Sequence, residues 1–394
     1  MTRYIFSPKG LGQQAVISSS QLDSLEHEMI SSVVNWNHPD DWASRIFGVA
    51  GRSIIFHSPT RKSTLEDAIL GEYSSLQLIG AGGNTFFVQT GIVEIPNDME
   101  VFPVDPSNHA DLLKHNSQLW HVNGNGKFVP TYRQYVPLHG MDDAEAENRA
   151  RYSNILERTV SSLHEKGKRT SFVVPILVAE GYFPHMLDDN RTELQFQVYR
   201  VPTVNRLPSQ LINKFAYSNH DNFVRYLREI SYFVGGTLRN LHGKQLAYMD
   251  PHIGNMSLIK DNHRTTLFIT DLGSIVDISQ REYASNYRGF DMFMYLTSMQ
   301  IYLEKLIGHF GVKLSNDGSQ TNLLSYYLDN ITRFTLKGYF RPEIVEGHPK
   351  VQIAHSSFEK FSTDLVLAKD IQSFVELFNQ LHINSSRSRQ PISL

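Results

Sequence analysis

The chain has 394 residues, 37 basic and 40 acidic for a formal net charge of −3, and 41% of them are hydrophobic. That length and apolar content suffice for two lobes with a substantial core, while the near balance of charge excludes a global attraction to nucleic acid or an anionic membrane. The absence of cysteine excludes disulfides, thiolate metal sites and cysteine nucleophiles together.

Met1 to Gln14 lacks the apolar stretch of a secretory leader, and the longest apolar run, Phe172 to Ala179, is far short of the ~20 residues that span a bilayer. A soluble, cytoplasmic protein with no membrane partner is expected. Gln21 to Val34 reads as a helix, followed by the polar, tryptophan-containing segment Asn35 to Arg45, and residues 1–70 read as an accessory segment. Leu78 to Gly91 reads as a strand, a glycine cluster and a second β-rich run. Gly80, Gly82 and Gly83 lack side chains, so backbone amides there can approach triphosphate oxygens closely; a simple hairpin explains the same cluster. A long insert, Pro96 to Gly126, precedes a strand within Gly126 to Leu138, which carries Arg133 centrally and Lys127 at its start. A helix from Asp142 to Leu163 follows, and then two apolar β-rich runs, Ser171 to Phe183 and Glu193 to Val204.

From Asp221 to His242 apolar residues recur every three or four positions, which predicts an amphipathic helix running into Leu246 to Leu258. Met256 to Lys260 and Thr265 to Thr270 read as a hairpin closed by the polar turn Asp261 to Arg264, and Asp271-Leu272-Gly273 follows directly. The order places Asp250, Asn255 and Asp271 at one mouth. Transfer of a γ-phosphoryl group needs positioned metal ions, an oriented nucleophile and a group near the incoming hydroxyl proton, and two carboxylates with one carboxamide meet that need. The plainer reading is a turn at Asp250-Pro251, a capping Asn255 and a second turn at Asp271. Asp291 stands in the apolar stretch Asn286 to Leu296, where it reads equally as an N-cap. Later helices are expected within Asn322 to Phe334 and Leu365 to Leu381, and Asn384 to Leu394 reads as a mobile tail. Of the seventeen histidines, His109, His115 and His121 recur every six residues, which is not a helical face, and no metal-binding motif contains them. His252, two residues from Asp250, can contact an acceptor or order the loop.

Helix, D-x-x-x-x-N loop, hairpin and D-x-G together resemble the second lobe of the protein-kinase-like superfamily. The resemblance implies an α+β, bilobal fold with a β-rich first lobe (71–204, with the insert at 96–126), a mainly helical second lobe (205–382) and a tail (383–394). It implies that Asp250 accepts or orients the acceptor hydroxyl, that Asn255 and Asp271 hold Mg2+, and that Gly80, Gly82 and Gly83 form the nucleotide clamp for ATP. It also implies an interlobe hinge near Val201 to Asn205. The family's phosphate-binding lysine lacks its usual string here; Arg133 is the leading replacement, with Lys127 the other candidate, and Glu145 rather than Glu147 takes the role of its glutamate partner. Tyr248 stands where the family usually has histidine.

The D-P-H-x-G-N string is similar to the loops of aminoglycoside/choline-type small-molecule kinases and of UbiB-type kinases. Pro8 to Gln14 and Ala144 to Asn148 also resemble UbiB motifs, although the first carries an extra residue and glycines replace that family's alanine-rich loop. Asp291 follows Asp271 by only twenty positions, which leaves little room for a long activation segment, and at the head of an apolar helix it resembles the Asp that begins the helix after the D-x-G segment in small-molecule kinases. The expected partner is therefore a small-molecule or peptide/protein acceptor, and nucleic acid is not expected. A pseudokinase and an adenylyl- or glutamyl-transferring enzyme on the same scaffold are the alternatives.

Overall fold

A computed structural model describes residues 4–5, 16–19, 21–34, 46–50, 53–58, 73, 75–80, 100–101, 118–122, 128–132, 141, 143–165, 171–187, 193–202, 205–260, 265–310, 320–340 and 373–380. It contains both helices and antiparallel sheets, so the chain is α+β. Its described helices are α1 (Ser24–Val34), α2 (Asp143–Glu165), α3 (Leu207–Tyr217), α4 (His220–Gly243), α5 (Ala284–His309), α6 (Gln320–Phe340) and α7 (373–380). None of them is long and apolar enough to cross a membrane. The chain divides into two compact units, one built from residues 1–119, 130–205 and 259–264, the other from 120–129, 206–258 and 265–394.

The first unit contains a six-stranded sheet in the order Val16–Ser18, Ile176–Leu187, Glu193–Val201, Ser75–Ile79, Ser53–His57 and Ile46–Ala50. Each neighbouring pair is antiparallel. Strands from the first seventy residues thus belong to the same sheet as those that follow. Successive side chains of Glu193–Val201 alternate between faces, and both faces are buried: Phe196 and Val198 on one, Gln197, Tyr199 and Val201 on the other. The Gln197 amide donates to the Ala146 carbonyl of α2 at 2.8 Å. Arg200, of opposite parity, reaches α1 instead: its Nη1 and Nη2 donate to the two carboxylate oxygens of Glu26 at 2.9 and 2.7 Å. Glu26 also closes a capping box, receiving the Asp23 N–H at 3.3 Å while its own N–H donates to Asp23 Oδ1 at 2.9 Å. Burial raises the Glu26 pKa, but hydrogen bonds from Arg200 and Ser58 and the Arg200 charge outweigh it, so the net shift is downward.

The second unit is built on the packing of α4 against α6. Two glycines permit it: a Cβ at Gly235 would lie 1.9 Å from the Thr335 carbonyl oxygen, and one at Gly338 would lie 2.0 Å from that of Tyr232. The backbones therefore touch, and buried Leu227, Ile230, Val234, Leu238, Ile331 and Leu336 fill the surrounding core. Asn219 caps α4 by accepting the Asn222 N–H at 2.9 Å. The hairpin Met256–Lys260/Thr265–Ile269 is anchored to α3 through Gln210, whose Oε1 accepts the Leu258 N–H and whose Nε2 donates to the Leu258 carbonyl, both at 2.9 Å. Thr265 ties the other strand to α4 by donating to Glu229 at 2.8 Å. Helix α5 begins at Ala284, several residues ahead of Asp291, so Asp291 does not cap it; the N-cap is Tyr283.

Candidate active site

Helix α4 ends at Gly243, and the chain re-enters as the short strand Leu246–Ala247, which pairs antiparallel with Val276–Asp277. Between these strands lie the catalytic-loop candidate and the D-x-G turn, so their ends are pinned to each other. The intervening backbone is strained: Met249 has φ 65° and Asp271 has φ 56°, both left-handed.

Asp291 holds the first of these strained residues. Its fully buried carboxylate accepts the N–H groups of Tyr248 at 2.6 Å and Met249 at 2.7 Å, and lies 2.9 Å from His242 Nε2. His242 Nδ1 in turn lies 2.8 Å from the Tyr339 hydroxyl. In the sequence His242 reads only as the end of a helix; a lone imidazole closing an apolar helix just before the loop is the signal that could single it out. The Met249 side chain packs against two buried clusters, Phe290 with Val375 and Ala247 with Ile278 and Tyr287.

Tyr248 is fully buried, and its hydroxyl donates to the Thr270 carbonyl, with the Asn255 carbonyl 3.5 Å away. The Thr270 N–H donates to that same Asn255 carbonyl at 2.9 Å. The residues just before Asp271 and at Asn255 are thus laced together from below.

The three chemistry-bearing side chains meet at Asn255. Its Nδ2 lies 3.2 Å from Asp250 Oδ2, 3.2 Å from the Asp250 carbonyl oxygen and 3.5 Å from Asp271 Oδ2. A single buried carboxamide therefore touches both carboxylates. Around it, His252 caps the short 3-10 turn Ile253–Asn255 by accepting the Gly254 N–H on Nδ1 at 3.0 Å. An accepting Nδ1 places the proton of a neutral imidazole on Nε2, which lies 3.6 Å from Asp250 Oδ2. Burial pushes the Asp250 pKa up, to about 6; His252 opposes this, Asp271 reinforces it, the Asn255 hydrogen bond opposes it and the Asp291 charge reinforces it. A carboxylate poised near neutrality suits a group that takes a proton from a hydroxyl.

Among the described residues no group of three or more His, Cys, Asp and Glu side chains is arranged to hold a metal. The donor set at Asn255 nevertheless suits magnesium. An amide can present either end, and with its oxygen turned inward Asn255 joins Asp250 and Asp271 as a purely oxygen-bearing group. Magnesium is usually held by one or two carboxylates with substrate phosphates completing its shell.

The remaining candidates divide. Gly80 has φ 93° and ends the strand Ser75–Ile79, where a Cβ would lie 2.8 Å from the Gln195 carbonyl oxygen, so the sheet itself requires glycine there. Glu145 is buried on α2 and its Oε1 accepts from Arg149 Nε and Nη2, each at 3.0 Å, whereas Glu147 is exposed. Gly82, Gly83, Arg133 and Lys127 lie outside the described residues.

No protein-family model matches the chain, and no curated protein does. Among solved structures it is similar to WaaP in complex with acyl carrier protein, at 14% identity over 64% of this chain and 90% of that one, with a TM-score of 0.31. It is also similar to two double mutants of the Mycobacterium tuberculosis PknI kinase domain, each at 10% identity over 86% of this chain and 94% of that one, with a TM-score of 0.31. Likeness at this level fixes neither fold nor activity.

Proposed function

We propose that the protein is an ATP- and magnesium-dependent phosphotransferase of protein-kinase-like fold that moves the γ-phosphoryl group to a hydroxyl of a small molecule or of a peptide or protein. The observation that carries the reading is the contact of one carboxamide, Asn255, with both the Asp250 and the Asp271 carboxylate.

The division of labour follows from each group's surroundings. Asp250, with its pKa raised to about 6, orients the acceptor hydroxyl and takes its proton as the acceptor oxygen bonds to phosphorus and the bond to the departing ADP oxygen breaks. Asn255 and Asp271 hold the metal. Magnesium, when bound, neutralises charge on the phosphate oxygens. His252, half-exposed with Nε2 toward Asp250, stands where an incoming acceptor would meet the loop. Asp291 keeps Asp250 in place by fixing the two residues before it.

The buried Glu145–Arg149 pair favours a second reading. A glutamate already engaged by its own helix is a weaker partner for a phosphate-binding cation, as expected if ATP is held in another orientation for adenylyl transfer. Incubating the purified chain with magnesium and either γ- or α-labelled ATP separates the two. Label moved only from the γ position supports the phosphotransferase; label moved only from the α position replaces it with adenylyl transfer.

A further inference from the structure

The imidazole of His252 is held in one orientation by Gly254. Its Nδ1 accepts the Gly254 N–H at 3.0 Å, so in the neutral ring the proton sits on Nε2. Glycine is what lets the ring lie there: a Cβ at Gly254 would stand 2.6 Å from His252 Cε1 and 2.9 Å from Nδ1, and the three atoms nearest to it all belong to this ring. Any side chain at 254 therefore displaces the imidazole. So oriented, Nε2 lies 3.6 Å from Asp250 Oδ2, beyond hydrogen-bond distance, with the two side chains 42% and 35% exposed. An N–H donor and a carboxylate oxygen thus stand side by side, both open to an incoming molecule. A hydroxyl is the smallest group that answers both, because its oxygen accepts from Nε2 while its proton is donated to Oδ2.

We propose that His252 is a catalytic residue that donates its Nε2–H to the acceptor hydroxyl oxygen while Asp250 takes the hydroxyl proton. The inference rests on the phosphotransferase reading and assigns the acceptor subsite of that site. The hydroxyl oxygen bonds to phosphorus through its other lone pair, the bond to the departing ADP oxygen breaks, and the proton passes to Asp250 Oδ2; His252 keeps its own proton throughout. His252 cannot serve as a second base, because Nε2 already carries a proton and Nδ1 is occupied by the Gly254 N–H. Two contacts to one oxygen aim its reacting lone pair, which a carboxylate alone leaves free to swing. A histidine that only capped the turn Ile253–Asn255 would need its accepting nitrogen alone.

Two substitutions separate the roles. His252→Ser keeps a good capping oxygen but has no donor that reaches as far as Nε2, whereas His252→Gln sets an amide N–H where Nε2 stands and is the poorer cap. On the full chain, with water as the acceptor, release of inorganic phosphate from Mg–ATP gives kcat, and calorimetry gives ATP affinity. His252→Ser is expected to lower kcat about tenfold, the worth of one hydrogen bond, with ATP affinity within about twofold of wild type. His252→Gln is expected to restore most of the loss. Gly254→Ala, which moves the ring but leaves it in the chain, is expected to lower kcat likewise and to add nothing in His252→Ser. A kcat of His252→Ser within about twofold of wild type overturns the proposal, as does His252→Gln no faster than His252→Ser. Failure of wild type to bind Mg–ATP overturns the phosphotransferase reading and this proposal with it. Should wild type bind but not hydrolyse ATP, or His252→Ser not fold, the His252 Nε2–H NMR signal of the wild-type chain, assigned by its loss in His252→Gln, decides. Aluminium fluoride added to the Mg–ADP complex mimics the phosphoryl group in flight, with water at the acceptor position. Movement of the signal on that addition supports the contact, and a signal indifferent to it refutes the proposal.

Discussion

The carboxylate of Asp291 holds the backbone of Met249, accepting its N–H at 2.7 Å on Oδ1 while Oδ2 accepts that of Tyr248 at 2.6 Å. Met249 is left-handed and immediately precedes Asp250, so the bond fixes a strained residue whose relaxation would swing the candidate base away. Asp291→Ala leaves two buried N–H groups and His242 without this acceptor. It is expected to cost about 3–5 kcal/mol, the range for breaking a buried charged network, and to reduce turnover even where the variant remains folded. Urea unfolding with an activity assay at low urea measures both.

As the proposed base, Asp250 is active only when ionised, so kcat/KM is expected to fall about tenfold per pH unit below about 6 and to level off above it. Asp250→Asn should lower kcat by roughly 10²–10⁴-fold with ATP affinity retained. A pH–rate profile on wild type and calorimetry on the variant check the two halves.

The folded pKa of Asp250, about 6, lies above its ordinary value of 3.8, so the folded chain holds this proton more tightly than the unfolded one. The associated stability is fully present below the unfolded value and is lost as pH rises through 6. Asp250→Asn is therefore expected to gain stability relative to wild type at pH 7.5, and the gap should narrow on acidification toward pH 4. Unfolding midpoints at the two pH values test the sign.

Gly235 lets α4 and α6 meet backbone to backbone. Gly235→Ala places a methyl 1.9 Å from the Thr335 carbonyl and is expected to cost about 3 kcal/mol or more, the upper end of overpacking. Thermal unfolding against wild type measures it, and a neutral result would mean that the two helices separate more easily than their packing implies.

The local parts of the site were the most legible ones. Apolar spacing marked α4, the turn Asp261 to Arg264 separated two strands, and D-x-x-x-x-N with D-x-G stood at intervals that a hairpin brings together; Asn255 does touch both Asp250 and Asp271. What holds those residues was less visible because it is remote in sequence. Asp291 reads as a helix start when the stretch before it is taken as loop, but α5 begins at Ala284 and the side chain turns inward to the loop. The partnership of Glu26 with Arg200 spans most of the first unit, and no local pattern announces it. Gln210 looks like any polar residue of a surface helix, yet it binds Leu258 as a neighbouring strand would.

Asn255 and Asp271 are proposed to receive the metal that carries the nucleotide. The most direct measurement is the dissociation constant of ATP with and without magnesium, on wild type and on Asp271→Ala. Magnesium is expected to tighten wild-type binding at least tenfold, and Asp271→Ala to erase the difference. Equal affinity with and without magnesium in wild type, or an undiminished magnesium effect in Asp271→Ala, would contradict it.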